Sequence, residues 1–193
     1  MTKKLIAPAL LLAITLGAGL AQDKGGARRP GMILSSPDFQ DGGIIPDKFT
    51  AVVPNQPSPK LEWTNVPMGT VSFALIVHDP DNAMRRTPED TLHWLVFNIP
   101  GTARALEGGQ PATPTVADGM IQGKNARGTV GYIGPANPAI NPYHHYDFEL
   151  YALDINLSLG PDASRTEVLK AMEGHAIGKA VIQCRFRMPP DRQ

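Results

Sequence analysis

Three short stretches of the chain carry residues able to do chemistry. In "HDPDN", His78, Asp79 and Asp81 stand together, with Pro80 fixing the backbone between the carboxylates. In "LHWLVF", His93 is flanked by Leu92 and Trp94 inside an otherwise apolar run. In "GYIGPANPAINPYHHY", Gly131, Gly134 and Pro135 precede the adjacent His144 and His145, and Tyr146 follows them. Each alone has a plain reading: a turn whose carboxylates cap backbone N–H groups, and a satisfied core or rim histidine. Together they form a set of donors. Imidazoles, a phenol and glycine-loop N–H groups are what a small anion needs. Carboxylates would repel that anion, so Asp79 and Asp81 need another task. They either orient and charge the histidines or receive the ammonium end of a zwitterion.

The elements that position these residues are mostly strands. Val71–Val77, "VSFALIV", is apolar on both faces except at Ser72, as a central, doubly covered strand requires. Leu92–Ile99 is similar and ends at the Pro100-Gly101 turn. From His145 to Leu153 the chain alternates. Tyr146, Phe148, Leu150 and Ala152 share one face, while His145, Asp147 and Glu149 take the other. His144 and Tyr146 therefore point to one side and His145 to the opposite one. One helix is marked after Pro161, where Ser164 and Glu167 form a capping box. Val168, Leu169 and Met172 give it a narrow apolar stripe, suited to covering a sheet edge, and Gly174 stops it. His175 reads as a helix-end residue.

The whole chain, 193 residues with 19 Gly and 19 Pro, has room for one loop-rich β domain with a sizeable core. Its formal charge is zero, with no basic stripe, which argues against nucleic acid as a partner. Residues 1–21 read as a cleaved secretory signal: Lys3 and Lys4, a short apolar run, then Gly19 and Ala21 placed for cleavage after Ala21. That places the protein in the periplasm or outside the cell, with no membrane span once the leader is removed. Residues 22–32 form a flexible lead-in, and the folded domain is expected over 33–190. The single cysteine, Cys184, forms no intrachain disulfide and reads as a small buried hydrophobe.

In order and spacing, several motifs resemble the phosphatidylethanolamine-binding protein family, in its bacterial Raf-kinase-inhibitor-like branch. They are "SSPDFQDGGIIP", "SPKLEW", "DPD" at Asp79–Asp81, "HWLVFNIPG", "GKN", "GYIGP" and "HHYDFELYALD", spread from Ile33 to Arg187. The resemblance implies a mainly β fold, a sandwich of two antiparallel sheets with a few peripheral helices. It also implies an anion pocket at one end, made by a DPD loop, the HW strand and the loop before the paired histidines. Carried over by position, the pocket would use Asp79, Asp81, His93, Gly134, Pro135, His144 and Tyr146. The chain departs from the family pattern at Asn82, Ala136, Asn137 and His145, the last standing where an arginine is usual.

The expectation is a non-enzymatic binding protein that holds a small anion or a phosphorylated group, such as a phospholipid head group, in a preformed pocket. No cofactor and no metal are expected, since HExxH, paired CxxC and GxSxG patterns are missing from the sequence. Two alternatives stand beside it. One is an interaction protein that inhibits an enzyme through the pocket rim, with Met84–Asp90 as a candidate rim loop. The other is a hydrolase using the His/Asp cluster with a metal or as acid and base.

Overall fold

The computed structural model describes residues 30–83 and 87–192. The leader, residues 22–29 of the lead-in and Met84–Arg86 of the rim segment lie outside the described residues. Among the described residues no helix is long and apolar enough to cross a membrane. In chain order the elements are β1 (Ile33–Ser35), β2 (Gly43–Ile44), β3 (Leu61–Thr64), β4 (Ser72–Ala83), β5 (Asp90–Pro100), β6 (Ala105–Leu106), β7 (Ile121–Gln122), β8 (His144–Leu153), α1 (Arg165–Met172) and β9 (Ala176–Phe186).

Two sheets form a sandwich. The smaller has the order β1-β3-β6, and the larger β2-β9-β8-β4-β5-β7. The long antiparallel ladders β8–β9, β4–β8 and β4–β5 make a rigid platform from the four longest strands. One pair departs from the antiparallel expectation: β2 runs parallel to β9, with Gly43 opposite Cys184. Between the sheets lies the main core, in which Leu34, Leu61 and Trp63 from the small sheet meet Phe73, Val77, Trp94 and Phe148 from the large one. β4 is central and covered on both faces, as its unbroken apolar run requires.

The expected helix is present, with both halves of the capping box formed around Ser164 and Glu167. It is the one α-helix among the described residues, where a few were expected; the other helical segments are short 3-10 turns. Its placement also differs from expectation. Val168 and Met172 pack on Ala74, Ile76, Leu95 and Phe97, so the helix covers the outer face of the central strands and not a sheet edge. Leu169, assigned to the apolar stripe, is 41% exposed, because α1 is only eight residues long and buries a two-residue line. Cys184 is fully buried, and burial pushes its thiol pKa up, which leaves it an inert thiol.

Trp94 shows where the fold is most sensitive. It is fully buried, its indole N–H donates to Gln122 at 2.6 Å, and its ring meets Tyr132 edge-on. Trp94→Ala should cost about 3–5 kcal/mol of unfolding free energy. Leu169→Ala should stay within about 0.5 kcal/mol of the unmodified protein. Urea denaturation of the two variants checks both figures, and equal losses would contradict this account of the core.

Candidate functional site

The end of β4 and the beginnings of β5 and β8 meet at one end of the large sheet. There they surround a hollow of about 320 Å³ whose lining includes Asp79, His93, Gly134, His144 and Tyr146. Five of the seven residues expected at the site are thus brought together. Asp81 and Pro135 are not part of the lining.

His93 reaches the hollow through an irregularity. Val77 pairs with Trp94 but the next residue, His78, pairs with Leu92, so His93 is an extra residue on β5. Such a bulge re-aims a side chain that strict alternation would have sent to the other face. The ring stands edge-on to Tyr146, with centroids 5.1 Å apart. Its Nδ1 lies 2.7 Å from the Ile133 carbonyl, an acceptor only, so the proton sits on Nδ1 and the neutral ring offers a bare Nε2. Burial holds the His93 pKa below its ordinary 6.5; the Ile133 carbonyl and Asp79 oppose that shift, and Arg127 and His78 reinforce it.

The two carboxylates each take one of the adjacent histidines. Asp79 is 3% exposed; its Oδ2 accepts from His144 Nδ1 at 2.8 Å and its Oδ1 from the Asp81 backbone N–H at 3.0 Å. Asp81 lies outside the hollow, where its Oδ2 accepts from the His145 backbone N–H at 2.7 Å and from His145 Nδ1 at 2.8 Å. Partial burial works against ionisation of Asp81, but these two bonds outweigh it and hold its pKa below the ordinary carboxylate value. His144 and His145 thus part to opposite sides, as strand alternation demands. The "DPD" segment is not a turn. β4 continues through it to Ala83, and its ladder with β5 breaks between Asp79 and Ala83, where Pro80 has no N–H to give.

His78 does not join this group. It lies on the outer side of the sheet, with Nδ1 2.5 Å from Asp90 Oδ2, and Asp90 is also paired with Arg165. His175, beyond the helix, pairs with Asp154. Gly134 plays a different part from the one expected. A Cβ there would come within 2.6 Å of the Phe49 carbonyl, so glycine is needed for close packing of two backbones. With its amide oriented to satisfy both neighbours, Gln56 accepts from the Gly134 N–H at 2.8 Å, so that donor is not offered to the hollow. Pro135 is buried, and its carbonyl accepts from Ala51 N–H at 2.8 Å. Tyr146 is 1% exposed, and its hydroxyl, near Asp79 and the Ala136 backbone, makes no hydrogen bond of good geometry to either. Burial raises its pKa, so it stays a neutral phenol with a proton to donate.

Two residues named from sequence only as departures, Asn82 and Asn137, line the hollow, together with Thr91 and Arg127, which were not singled out. Asn82 and Thr91 bond to each other on one wall at 2.9 Å. Asn137, where the family pattern has proline, is buried and donates to the Pro142 carbonyl, while Asn141 donates to Asn137. The departure therefore supplies its own clamp for the loop before β8. Arg127 is the other addition, and its arginine-glycine turn carried no apolar period to mark it.

Known proteins share this arrangement of elements. A family model described as phosphatidylethanolamine-binding protein matches residues 35–187. A UPF0098 protein of Methanothermobacter thermautotrophicus is 44% identical over 151 residues, covering 78% of this chain and 95% of that protein. A protein of Mycobacterium tuberculosis, LppC, whose name marks it as a lipoprotein, is 35% identical over 77% of this chain and 69% of its own. Among solved structures, a phosphatidylethanolamine-binding protein homologue of Chlamydia trachomatis superposes with a TM-score of 0.73 at 32% identity. It covers 82% of this chain and all but 1% of its own, matching 99% of that chain. The YbcL protein of E. coli superposes at 0.74 with 27% identity, over 83% of this chain and 100% of that one. With the match running from β1 to the end of β9, this chain belongs to the phosphatidylethanolamine-binding protein family.

Proposed function

We propose that the protein binds, without chemically changing it, a small anion or a phosphorylated group such as a phospholipid head group, and that the hollow beside His93 is where it binds. The observation that carries this reading is the convergence of His93, His144 and Tyr146 from two strands on one preformed cavity. Its volume of about 320 Å³ suits a small ligand. His144 turns Nδ1 to Asp79 and His93 turns Nδ1 to Ile133, which leaves both Nε2 atoms for a guest. The buried Tyr146 hydroxyl lacks a partner, and an oxyanion would supply one. Binding is favoured over nucleophilic catalysis because Thr91 Oγ1 in the lining only accepts from Asn82 and, among the described residues, is bonded to no histidine or carboxylate that could take its proton. The leader pattern and the lipoprotein relative support placement in the cell envelope or outside the cell, where such a group would be met.

His93→Asn and His144→Asn keep an amide donor at the Nδ1 position and delete Nε2. Each should weaken binding of phosphoethanolamine by about 10- to 100-fold, the worth of one charge-assisted hydrogen bond. Melting temperatures should stay close to that of the unmodified protein, and His145→Ala should change affinity less than twofold. Isothermal titration calorimetry reads all three, and two Asn variants that bind normally would overturn the site. The phosphoethanolamine should be recovered intact after prolonged incubation; its hydrolysis would revive the enzyme reading.

Proton linkage gives a second test. In the free protein the neutral form of His93 predominates at pH 6.5, because burial holds its pKa below that value. An anion against Nε2 favours the imidazolium and raises the pKa, so binding takes up a proton between the free and bound values. Affinity for sulfate, which does not titrate in this range, should therefore rise as pH falls through the bound-state value and level off below the free one. Calorimetry in buffers of different ionisation enthalpy should show net proton uptake, absent in His93→Asn. Affinity that does not vary with pH would remove His93 from the contact.

A further inference from the structure

The hollow has a charge problem that its histidines do not solve. Asp79 brings a carboxylate, His144 is committed to it at 2.8 Å, and His93 is held neutral. Among the described residues lining the hollow, Arg127 is the one whose positive charge does not depend on pH.

The position of Arg127 is built. Asn125, 5% exposed, wires the turn that presents it. Its amide donates to Thr129 Oγ1 at 3.0 Å and to the Gly131 carbonyl at 2.9 Å, and its Oδ1 accepts from the Arg127 backbone N–H at 3.0 Å. Gly128 closes the turn at φ 75°, where its N–H donates to the Asn125 carbonyl. Arg127 is an exposed residue and has no ion-pair partner among the described residues. Arg127 also lines a second depression, of about 780 Å³, together with polar groups of Gln56, Ser58, Gln110 and Thr129. It is therefore the residue shared between the donor-lined hollow and an adjoining polar groove.

We propose that Arg127 is the fixed charge that anchors an oxyanion at the mouth of the hollow, and that it directs the anion's organic substituent into the groove lined by Gln56, Gln110 and Thr129. This rests on the anion-binding reading and extends it. The ligand class is a phosphate or sulfate ester with a polar, hydrogen-bonding substituent. A bare inorganic anion uses only half of such a site. An unpaired guanidinium matches two oxyanion oxygens at once, and its exposure leaves it free to do so.

The test is run at pH 8, above the ordinary value that the His93 pKa stays below, with Arg127 as the lining charge that does not titrate. Arg127→Ala should weaken binding of both inorganic phosphate and glycerol 3-phosphate at least tenfold, and Arg127→Lys should recover part of the loss. The melting temperature should not move, since the Asn125 bonds reach only the Arg127 backbone. In NMR titrations of the unmodified protein, glycerol 3-phosphate should shift the Gln110 and Thr129 amides and inorganic phosphate should not. If Arg127→Ala binds normally while His93→Asn and His144→Asn are impaired, this inference falls and the hollow remains the anion site. If neither probe binds the unmodified protein, both readings fall together. Ester-induced shifts confined to the hollow would overturn the groove.

Discussion

A buried carboxylate sets the terms for this end of the molecule. Asp79 is 3% exposed on the central strand, and an ionised group so placed persists only if its lone pairs are met. His144 meets one oxygen from the neighbouring strand, and the Asp81 N–H meets the other from two residues along. Deleting one partner of such a buried pair costs about 3–5 kcal/mol, so both partners are held in place. The bond ties the last buried residue of β4 to the first residue of β8. The backbone ladder between the two strands, which runs to His78 and Asp147, sets their spacing, and this bond fixes the two side chains at its end.

Around that bond the large sheet gives up regularity where the site lies. β4 and β5 keep strict pairing from Leu75 to Val77, then slip at His93 and break again from Asp79 to Ala83. The slips have separate causes with one result. Pro80 removes a ladder donor, and the extra residue on β5 turns His93 inward beside Trp94. On the opposite strand β8 stays regular through His145, so alternation alone divides His144 from His145. A regular β8 and an irregular β5 together put two imidazoles on one side of the sheet. Two regular strands would have sent His93 toward the helix-covered face.

That contrast explains how much was legible beforehand. A loop-rich β domain, the central β4, the capping box and the split of the two histidines rest on local patterns, which need only neighbours in sequence, while the two-sheet sandwich came with the family resemblance. The convergence of Asp79, His93, His144 and Tyr146 was reached through motif order shared with a known family, because no local rule relates residues sixty positions apart. Local patterning was silent on register, so it showed neither the continuation of β4 through "DPD" nor the bulge at His93. It also put the Gly134 N–H in the pocket on the strength of residue type. The actual partner, Gln56, arrives from a distant segment, and the glycine answers a backbone contact with Phe49. Arg127 was passed over because its importance comes from Asn125, whose wiring of the turn becomes visible only in three dimensions.

The geometry also decides what the acidic pair is for. Asp79 has an internal donor on each oxygen and almost no exposure, an arrangement that favours holding those donors over meeting a guest's ammonium. Asp81 differs. Both of its bonds fall on Oδ2, and its side chain is 40% exposed. The exposed Asp81 carboxylate thus lies outside the hollow with His145, while the lining residue that carries a permanent positive charge is Arg127. The adjacent histidines, one facing in to Asp79 and one facing out to Asp81, are the two halves of that division.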